Sequence, residues 1–360
     1  MIRSSSCAPM SENPDPPEPP EPPERSLGRR LVSNLFALLL TLVYLLGIAW
    51  ASGAVYYDAP LPNAGNWDRA LLALGYALIV LLTMLALGSR RRRFLGWVVA
   101  ISLIAVPWFL KKPVQQADWK PTASRLPLAL TEGNTVTFHN FRHFDYDDTG
   151  KPTERWESRS VDLSKLEGLD FVHHALRDGL LAHPLLSFNF GDDGRIAFSV
   201  EARFRKGQEF SPLRGLYKQY SLIYLVGDER DFLKDRAIVR NEPVRLYRLT
   251  YPPERIREIF LETIETMNGL REKPRFYNSL TTNCTTSYIR QAPAGKRPRF
   301  DYRIILNGFM ESLFYERGLI ATEGLSLKDL VDQAAINEAA REAREDPAFS
   351  NRIREGRAGF

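Results

Sequence analysis

Cys284 and His183 are the side chains in this 360-residue chain best suited to covalent chemistry. Cys284 lies in Tyr277-Asn278-Ser279-Leu280-Thr281-Thr282-Asn283-Cys284-Thr285-Thr286, where small polar residues lead into a short helical pattern that Pro293 closes. With Thr282 or Asn283 as N-cap, Cys284 stands in the first helical turn, where the positive end of the macrodipole favours a thiolate. That placement suits a nucleophile, and the plainer alternative is a buried structural cysteine. Cys7, the second cysteine, sits in a Pro/Glu-rich stretch remote in sequence, so an intramolecular disulfide is not expected and Cys284 should be a free thiol.

His183 opens a strand pattern, His183-Pro184-Leu185-Leu186-Ser187-Phe188-Asn189-Phe190, that turns at Gly191-Asp192-Asp193-Gly194 and returns as Arg195 to Phe204. Matching the polar faces of this hairpin requires an odd-length loop, and that register sets Glu201 or Arg203 beside His183. A carboxylate there orients the imidazole and stabilises its charged form. The alternative for Glu201 is a structural ion pair with Arg203 or Arg195.

Other polar clusters are weaker. His139 and His143 have metal-ligand spacing only on a helix, whereas Thr135 to Phe141 reads as strand and no HExxH glutamate is present, so no metal or cofactor is expected. His173-His174 reads as capping or lining a surface helix, and Gly227-Asp228-Glu229-Arg230-Asp231 as a solvated turn.

Positioning falls to an α+β domain. After a linker at Pro113 to Pro127, strand-like runs occur at Thr135–Phe141, Val161–Leu163, Pro184–Phe190, Ile196–Phe204, Leu222–Val226 and Val244–Leu249. Helical spacing of Ile256, Ile259, Phe260, Ile264 and Met267 follows Pro252-Pro253, and further helices are expected at Pro212–Tyr220, after Cys284 and at Tyr302–Arg317. Residues 333–360 read as a charged terminal helix that frays.

Ahead of that domain, residues 31–55, 69–88 and 94–110 each approach the roughly 20 apolar residues that cross a bilayer. Residues 1–30 are too poor in apolar side chains to offset ordering entropy and should be disordered. The net charge of +5 comes with arginines clustered at Arg25, Arg29, Arg30 and Arg90 to Arg93, which read as topology signals instead of a nucleic-acid stripe. They place the N-terminus in the cytoplasm and residues 113–360 outside; Lys111 and Lys112 lie on the wrong side for the rule but are outvoted. The chain therefore divides into a tail (1–30), a three-helix anchor (31–112), an extracytoplasmic domain (113–325) and a charged tail (326–360).

Phe138-His139-Asn140-Phe141-Arg142, Ala182-His183, Phe198-Ser199-Val200-Glu201-Ala202-Arg203, Gln219-Tyr220, Gly227-Asp228-Glu229-Arg230 and Tyr277-Asn278 with Thr282-Asn283-Cys284-Thr285-Thr286 resemble a bacterial family. It is the extracytoplasmic domain of the Lnb-type lipoprotein intramolecular transacylases, and the resemblance spans about residues 118 to 320. It implies a multi-pass protein of a Gram-negative inner membrane and a circularly permuted papain-like (NlpC-type) fold, with His on a strand preceding Cys on a helix. By that resemblance Cys284 takes an acyl group from a lipid or lipoprotein, His183 acts as base, Glu201 is the third polar residue, and Asn283, Tyr277 and Ser199 line the substrate. The competing readings are a cell-wall amidopeptidase of the papain-like class and a catalytically inert scaffold or sensor. An apolar groove favours acyl chemistry; a wide polar cleft favours the amidopeptidase.

Overall fold

The structure, a computed structural model, describes residues 27–59, 61, 65–176, 179–291 and 299–360. The expectations for Cys7, for residues 1–26 of the tail and for Pro293 lie outside the described residues. The chain forms two compact units, Met1–Tyr56 with Pro60–Ala105, and Tyr57–Ala59 with Val106–Phe360.

The apolar segments form three helices, α1 (Leu27–Asp58), α2 (Asn66–Ala86) and α3 (Arg90–Leu110), all long and apolar enough to cross a membrane. Each extends beyond its apolar run because flanking polar residues continue the helical backbone. Within the first unit two polar side chains find partners on neighbouring helices, as suits a lipid environment: Trp97 Nε1 donates to Tyr44 O at 3.2 Å and Tyr76 Oη to Ala100 O at 2.9 Å. Gly47 permits the Trp97 contact, since a Cβ there would overlap the indole.

Among the described residues of the second unit ten strands occur, β1 (Leu128–Glu132), β2 (Thr135–Arg142), β3 (Asp145–Tyr146), β4 (Pro152–Thr153), β5 (Trp156–Asp162), β6 (Gly168–Ala175), β7 (Ala182–Asn189), β8 (Arg195–Arg203), β9 (Ser221–Asp228) and β10 (Val244–Arg248). Eight of them make one sheet in the order β1-β2-β9-β8-β7-β6-β10, with β5 on β2 and β3 pairing β4 apart. Alternation along β7 to β9 sends Leu186, Phe188, Phe198, Val200 and Tyr224 into one buried cluster, and Leu185, Ala197, Ile223 and Leu225 into another. The sheet is thus covered on both faces.

The first face receives α6 (Pro253–Glu272), whose Ile256, Phe260, Ile264 and Met267 are buried as their spacing predicts. Helix α4 is only Pro212–Leu216, shorter than expected, and α7 runs Cys284–Gln291. Tyr302–Arg317 is not one helix: two single 3-10 turns precede α8 (Met310–Glu316), and Gly308 packs its Cα against the backbone of Gly179 and Leu180, where a side chain would clash.

Three expectations are corrected here. His173-His174 belong to β6, an eight-residue strand buried along its whole length, because the run from Leu169 to Ala175 packs on both faces of the sheet and leaves no solvent side. The Gly227–Asp231 stretch is no solvated turn: it ends β9 and starts α5 (Glu229–Leu233), with Glu229 and Asp231 buried by cationic partners, among them Arg142, which bonds Asp231 at 2.6 Å. The C-terminal segment does not fray. Helices α9 (Leu327–Gln333), α10 (Asn337–Glu342) and α11 (Phe349–Arg352) set Ile336, Ala340, Phe349 and Ile353 into the second cluster, and Arg354 is buried against Asp170 and Glu229.

Candidate active site

Strands β7 and β8 pair with Asn189 opposite Arg195 and Leu185 opposite Ser199, so the connection has the odd length of five residues. Continued two residues, this register sets His183 across from Glu201, and the side chains meet: His183 Nε2 lies 3.1 Å from Glu201 Oε1. Ser199 joins them, its hydroxyl donating to Glu201 Oε1 at 2.6 Å while sitting 2.8 Å from His183 Nε2. Because the Ser199 proton goes to the carboxylate, Nε2 carries the imidazole proton. Cys284 is also close enough to His183 to favour its charged form.

Cys284 begins α7, as its local sequence requires. Asn283 caps the helix, its Oδ1 accepting from Thr286 N at 2.9 Å and the Thr286 hydroxyl accepting from Asn283 N at 2.9 Å. The other end of the Asn283 amide donates to Ser279 O at 2.8 Å, tying the preceding loop to the cap. Cys284 is a free thiol, 6% exposed, with Sγ 4.0 Å from Ala182 O, the residue before His183.

Electrostatics favour a charged imidazole. Burial opposes the cation, but the Glu201 carboxylate and hydrogen bonds to Cys284 and Glu201 outweigh it and raise His183 to about 9. Burial likewise raises Glu201, yet the charges of His183 and Arg236 and the hydrogen bonds from His183 and Ser199 hold it well below the usual carboxylate range. Tyr277, 7% exposed, is pushed far above the ordinary phenol range by burial and by the neighbouring Cys284 charge, so it stays protonated there.

Two residues that no sequence pattern flagged complete the arrangement. Arg236 projects from a π-helical stretch, Lys234–Val239, and places Nη2 2.9 Å from Glu201 Oε1 and 3.3 Å from Ser199 Oγ. Asn307 clamps the two elements together: its Oδ1 accepts from Ala182 N at 2.8 Å, and its Nδ2 donates to Ala182 O at 2.6 Å and to Thr285 Oγ1 at 2.7 Å. The residue before His183 and the residue after Cys284 are therefore held by one amide.

Two expected substrate-lining residues have other work. Ser199 is fully buried and orients Glu201 and His183, so it cannot meet a substrate, and both ends of the Asn283 amide are spent on the helix cap. Glu201 does form an ion pair, but with His183 and Arg236; Arg203 bonds the Ala123 and Ser124 carbonyls and Arg195 pairs with Asp170. His139 Nδ1 is 3.0 Å from Ser158 Oγ, and His143 lies 3.1 Å from Asp228, so the two histidines have separate partners.

An apolar cavity of about 400 Å³ has Pro184 and Thr285, the chain neighbours of His183 and Cys284, in its wall, while His183 and Cys284 themselves do not line it. Tyr288, Leu169, Phe171, Leu186, Leu313 and Phe314 continue that wall. Its charged liners include Arg255 and Glu262, which pair with each other at 3.2 Å.

Residues 152–308 match the family model described as the Lnb N-terminal periplasmic domain, a stretch that contains His183, Glu201, Arg236, Cys284 and Asn307. No curated protein and no solved structure matches the chain. Ahead of that stretch stand three helices long and apolar enough to cross a bilayer, so the chain joins candidate membrane spans to a segment, residues 152–308, that is similar to the Lnb N-terminal periplasmic domain.

Proposed function

We propose that this protein is a cysteine-dependent acyltransferase or acyl hydrolase that works on acyl groups of membrane lipid or lipoprotein at the outer face of the inner membrane. Cys284 is the nucleophile, His183 the acid–base group, and Glu201 the carboxylate that orients and charges His183. The Cys284 thiolate attacks the acyl carbonyl carbon; the bond to the leaving alcohol or amine breaks, and that group takes the proton from His183. His183 then removes a proton from an acceptor hydroxyl or water, which attacks the thioester carbonyl and frees the Cys284 sulfur.

The single observation that carries this reading is the grouping of Cys284, His183 and Glu201 at one end of the sheet; the substrate class is supported by the apolar cavity that has their chain neighbours Thr285 and Pro184 in its wall. Its volume lies within the range of about 300–1,000 Å³ typical of small-molecule sites, and its walls suit a hydrocarbon chain better than a glycopeptide. That argues for acyl chemistry over a cell-wall amidopeptidase. The Cys284 thiol, set 4.0 Å from the carbonyl of the residue before His183 and acting on the His183 charge, argues against an inert scaffold. Order along the chain, His on a strand and Cys on a later helix, supports a permuted papain-like arrangement of residues 113–325. Arg90 to Arg93 on the cytoplasmic side support an N-terminus inside and a domain outside.

The test compares membrane lipoproteins and lipids by mass spectrometry in cells carrying the wild-type protein or Cys284→Ala, and searches the purified wild-type chain for an acyl thioester on Cys284. Acylation that depends on Cys284, with a trapped thioester, is the expected result. Identical acylation profiles and no thioester under any substrate supplied would sink it.

A further inference from the structure

The anchor helix α3 ends at Leu110, and by Val114 the chain is already bonded to the sheet: Ser221 Oγ donates to Val114 O at 3.0 Å. Four extended residues reach at most about 14 Å, so the Ser221 end of β9 is held close to where α3 leaves the bilayer. The following residues stay on that edge. Trp119 bridges Arg205, Lys120 N donates to Phe204 O at 2.9 Å, and Arg203 Nε donates to Ala123 O at 2.8 Å. Glu201 pairs with Ile223 and Arg203 with Ser221, so the Cys–His–Glu group sits at this same end of the sheet, two residues from its rim.

Two touching loops at that end expose large apolar side chains. Ser221 bridges Phe276 and Tyr277 N donates to Tyr220 O at 3.0 Å, which brings up the loop carrying Leu280; Ser279 Oγ donates to Pro212 O at 2.7 Å, which fastens it to the loop carrying Leu213. Phe210 stacks with Tyr220. Leu213 is 60% exposed, Leu280 57% and Phe210 45%. Lys112, Arg205, Lys206 and Arg275 are exposed on the same edge; its acids include Asp58, paired to Lys111 at 2.5 Å, Asp118, paired to Lys206 at 2.8 Å, and Glu209. Lys111 and Lys112, on the wrong side for the positive-inside rule, belong to this edge.

We infer that Phe210, Leu213 and Leu280 form a lip that inserts into the anionic phospholipid surface around the point where α3 emerges, with Lys112, Arg205 and Arg275 meeting headgroup phosphates. The tether alone decides the occupant: any larger partner would have to displace a bilayer that the chain length holds within a few residues of the lip. The lip ends four residues before Cys284, and Asn283 is bonded to Ser279 within it, so the loop that meets lipid is the loop that carries the thiol. This surface rests on the reading of α3 as a membrane span and not on catalysis.

The test reconstitutes the full chain in phosphatidylglycerol nanodiscs, with Cys7→Ser and Cys284→Ser as background and an environment-sensitive fluorophore on Leu213→Cys, Leu280→Cys or Asp192→Cys. Asp192 is exposed in the turn before β8, beyond the far end of that strand, whose first residue Arg195 is about 26 Å along it from the Arg203–Ser221 pair. Both leucine positions are side chains already at the surface, so the folded domain tolerates them. The expected result is blue-shifted emission, quenched by brominated acyl chains, at the two lip positions and water-like emission at Asp192→Cys. Water-like, unquenched emission at both lip positions overturns the proposal, and so does equal quenching at all three. Because the background lacks Cys284, a negative result here leaves the thioester experiment standing on its own.

Discussion

At the residue scale the site turns on which groups hold a charge. Glu201 keeps His183 protonated up to about 9, and the imidazolium is the form that can deliver a proton to a leaving group. Its raised value means the charge is complete below the ordinary histidine range and is lost as pH rises through about 9. Glu201→Gln removes the carboxylate while keeping its shape, so burial, which favours the neutral ring, takes over. The alkaline limb of Cys284 thioester formation should therefore lie near 9 in the wild type and move down by about two units or more in Glu201→Gln. An unmoved limb in a variant that still folds would show that Glu201 does not act on His183. This pairing was legible in sequence, because alternation and an odd loop length leave only Glu201 or Arg203 opposite His183. Arg236 was not legible: it comes from a six-residue π-helical stretch that has no sequence signature, and its role arises only when that turn folds under the hairpin. Ser199 was legible as a neighbour, but only coordinates show its hydroxyl turned inward.

At the element scale, the question is what keeps a strand start and a helix start in register to the fraction of an ångström that such chemistry needs. Asn307 does so with one side chain, by satisfying both backbone groups of Ala182 and the Thr285 hydroxyl. Asn307→Ala leaves those buried groups unpaired, at about 1–3 kcal/mol each. With three such groups, urea unfolding should report a loss of about 3 kcal/mol or more, and thioester formation should fall further than unfolding explains, because β7 and α7 lose their link. Asn307→Asp should recover the Ala182 N–H bond alone and sit between the two. A full return of activity in Asn307→Ala would mean that the clamp is incidental. Sequence pattern located β7 and β8 by their polar–apolar alternation, β9 by its continuous apolar run and α6 by its helical period; it misplaced β6 because Asp170, His173 and His174 interrupt the apolar run of that buried strand. Asn307 opens a single 3-10 turn, where propensity is silent.

At the scale of the whole molecule, the last residues close the fold. Arg354 lies between Asp170 on β6 and Glu229 at the start of α5, its Nη2 2.7 Å from Asp170 and its Nη1 2.8 Å from Glu229, with both carboxylates fully buried. Arg248 and Arg195 also reach Asp170, and Ser187 donates to Glu229 at 2.6 Å, so the C-terminal segment completes a network that spans the sheet. A cut at residue 325 would therefore remove part of the core instead of a loose tail. Burial alone would raise Glu229, but Arg354 first and Arg195 and Ser187 after it lower it to about 2. The stability this carboxylate contributes is complete above the ordinary glutamate range and fades as pH falls toward about 2. Arg354→Met keeps the packing volume and deletes the main partner, so it should cost about 3–5 kcal/mol at neutral pH, the usual result of stranding a buried charge. Without Arg354 the Glu229 pKa rises, the carboxyl takes up a proton on mild acidification, and the penalty shrinks. The gap between wild type and Arg354→Met in urea midpoint should thus be widest at pH 7 and narrow near pH 4. A gap that is constant across that interval would place the loss in packing and not in charge. The same measurement separates the two ways a C-terminal segment can matter: as apolar cover supplied by Phe349 and Ile353, or as the counter-charge that lets β6 and α5 bury their acids.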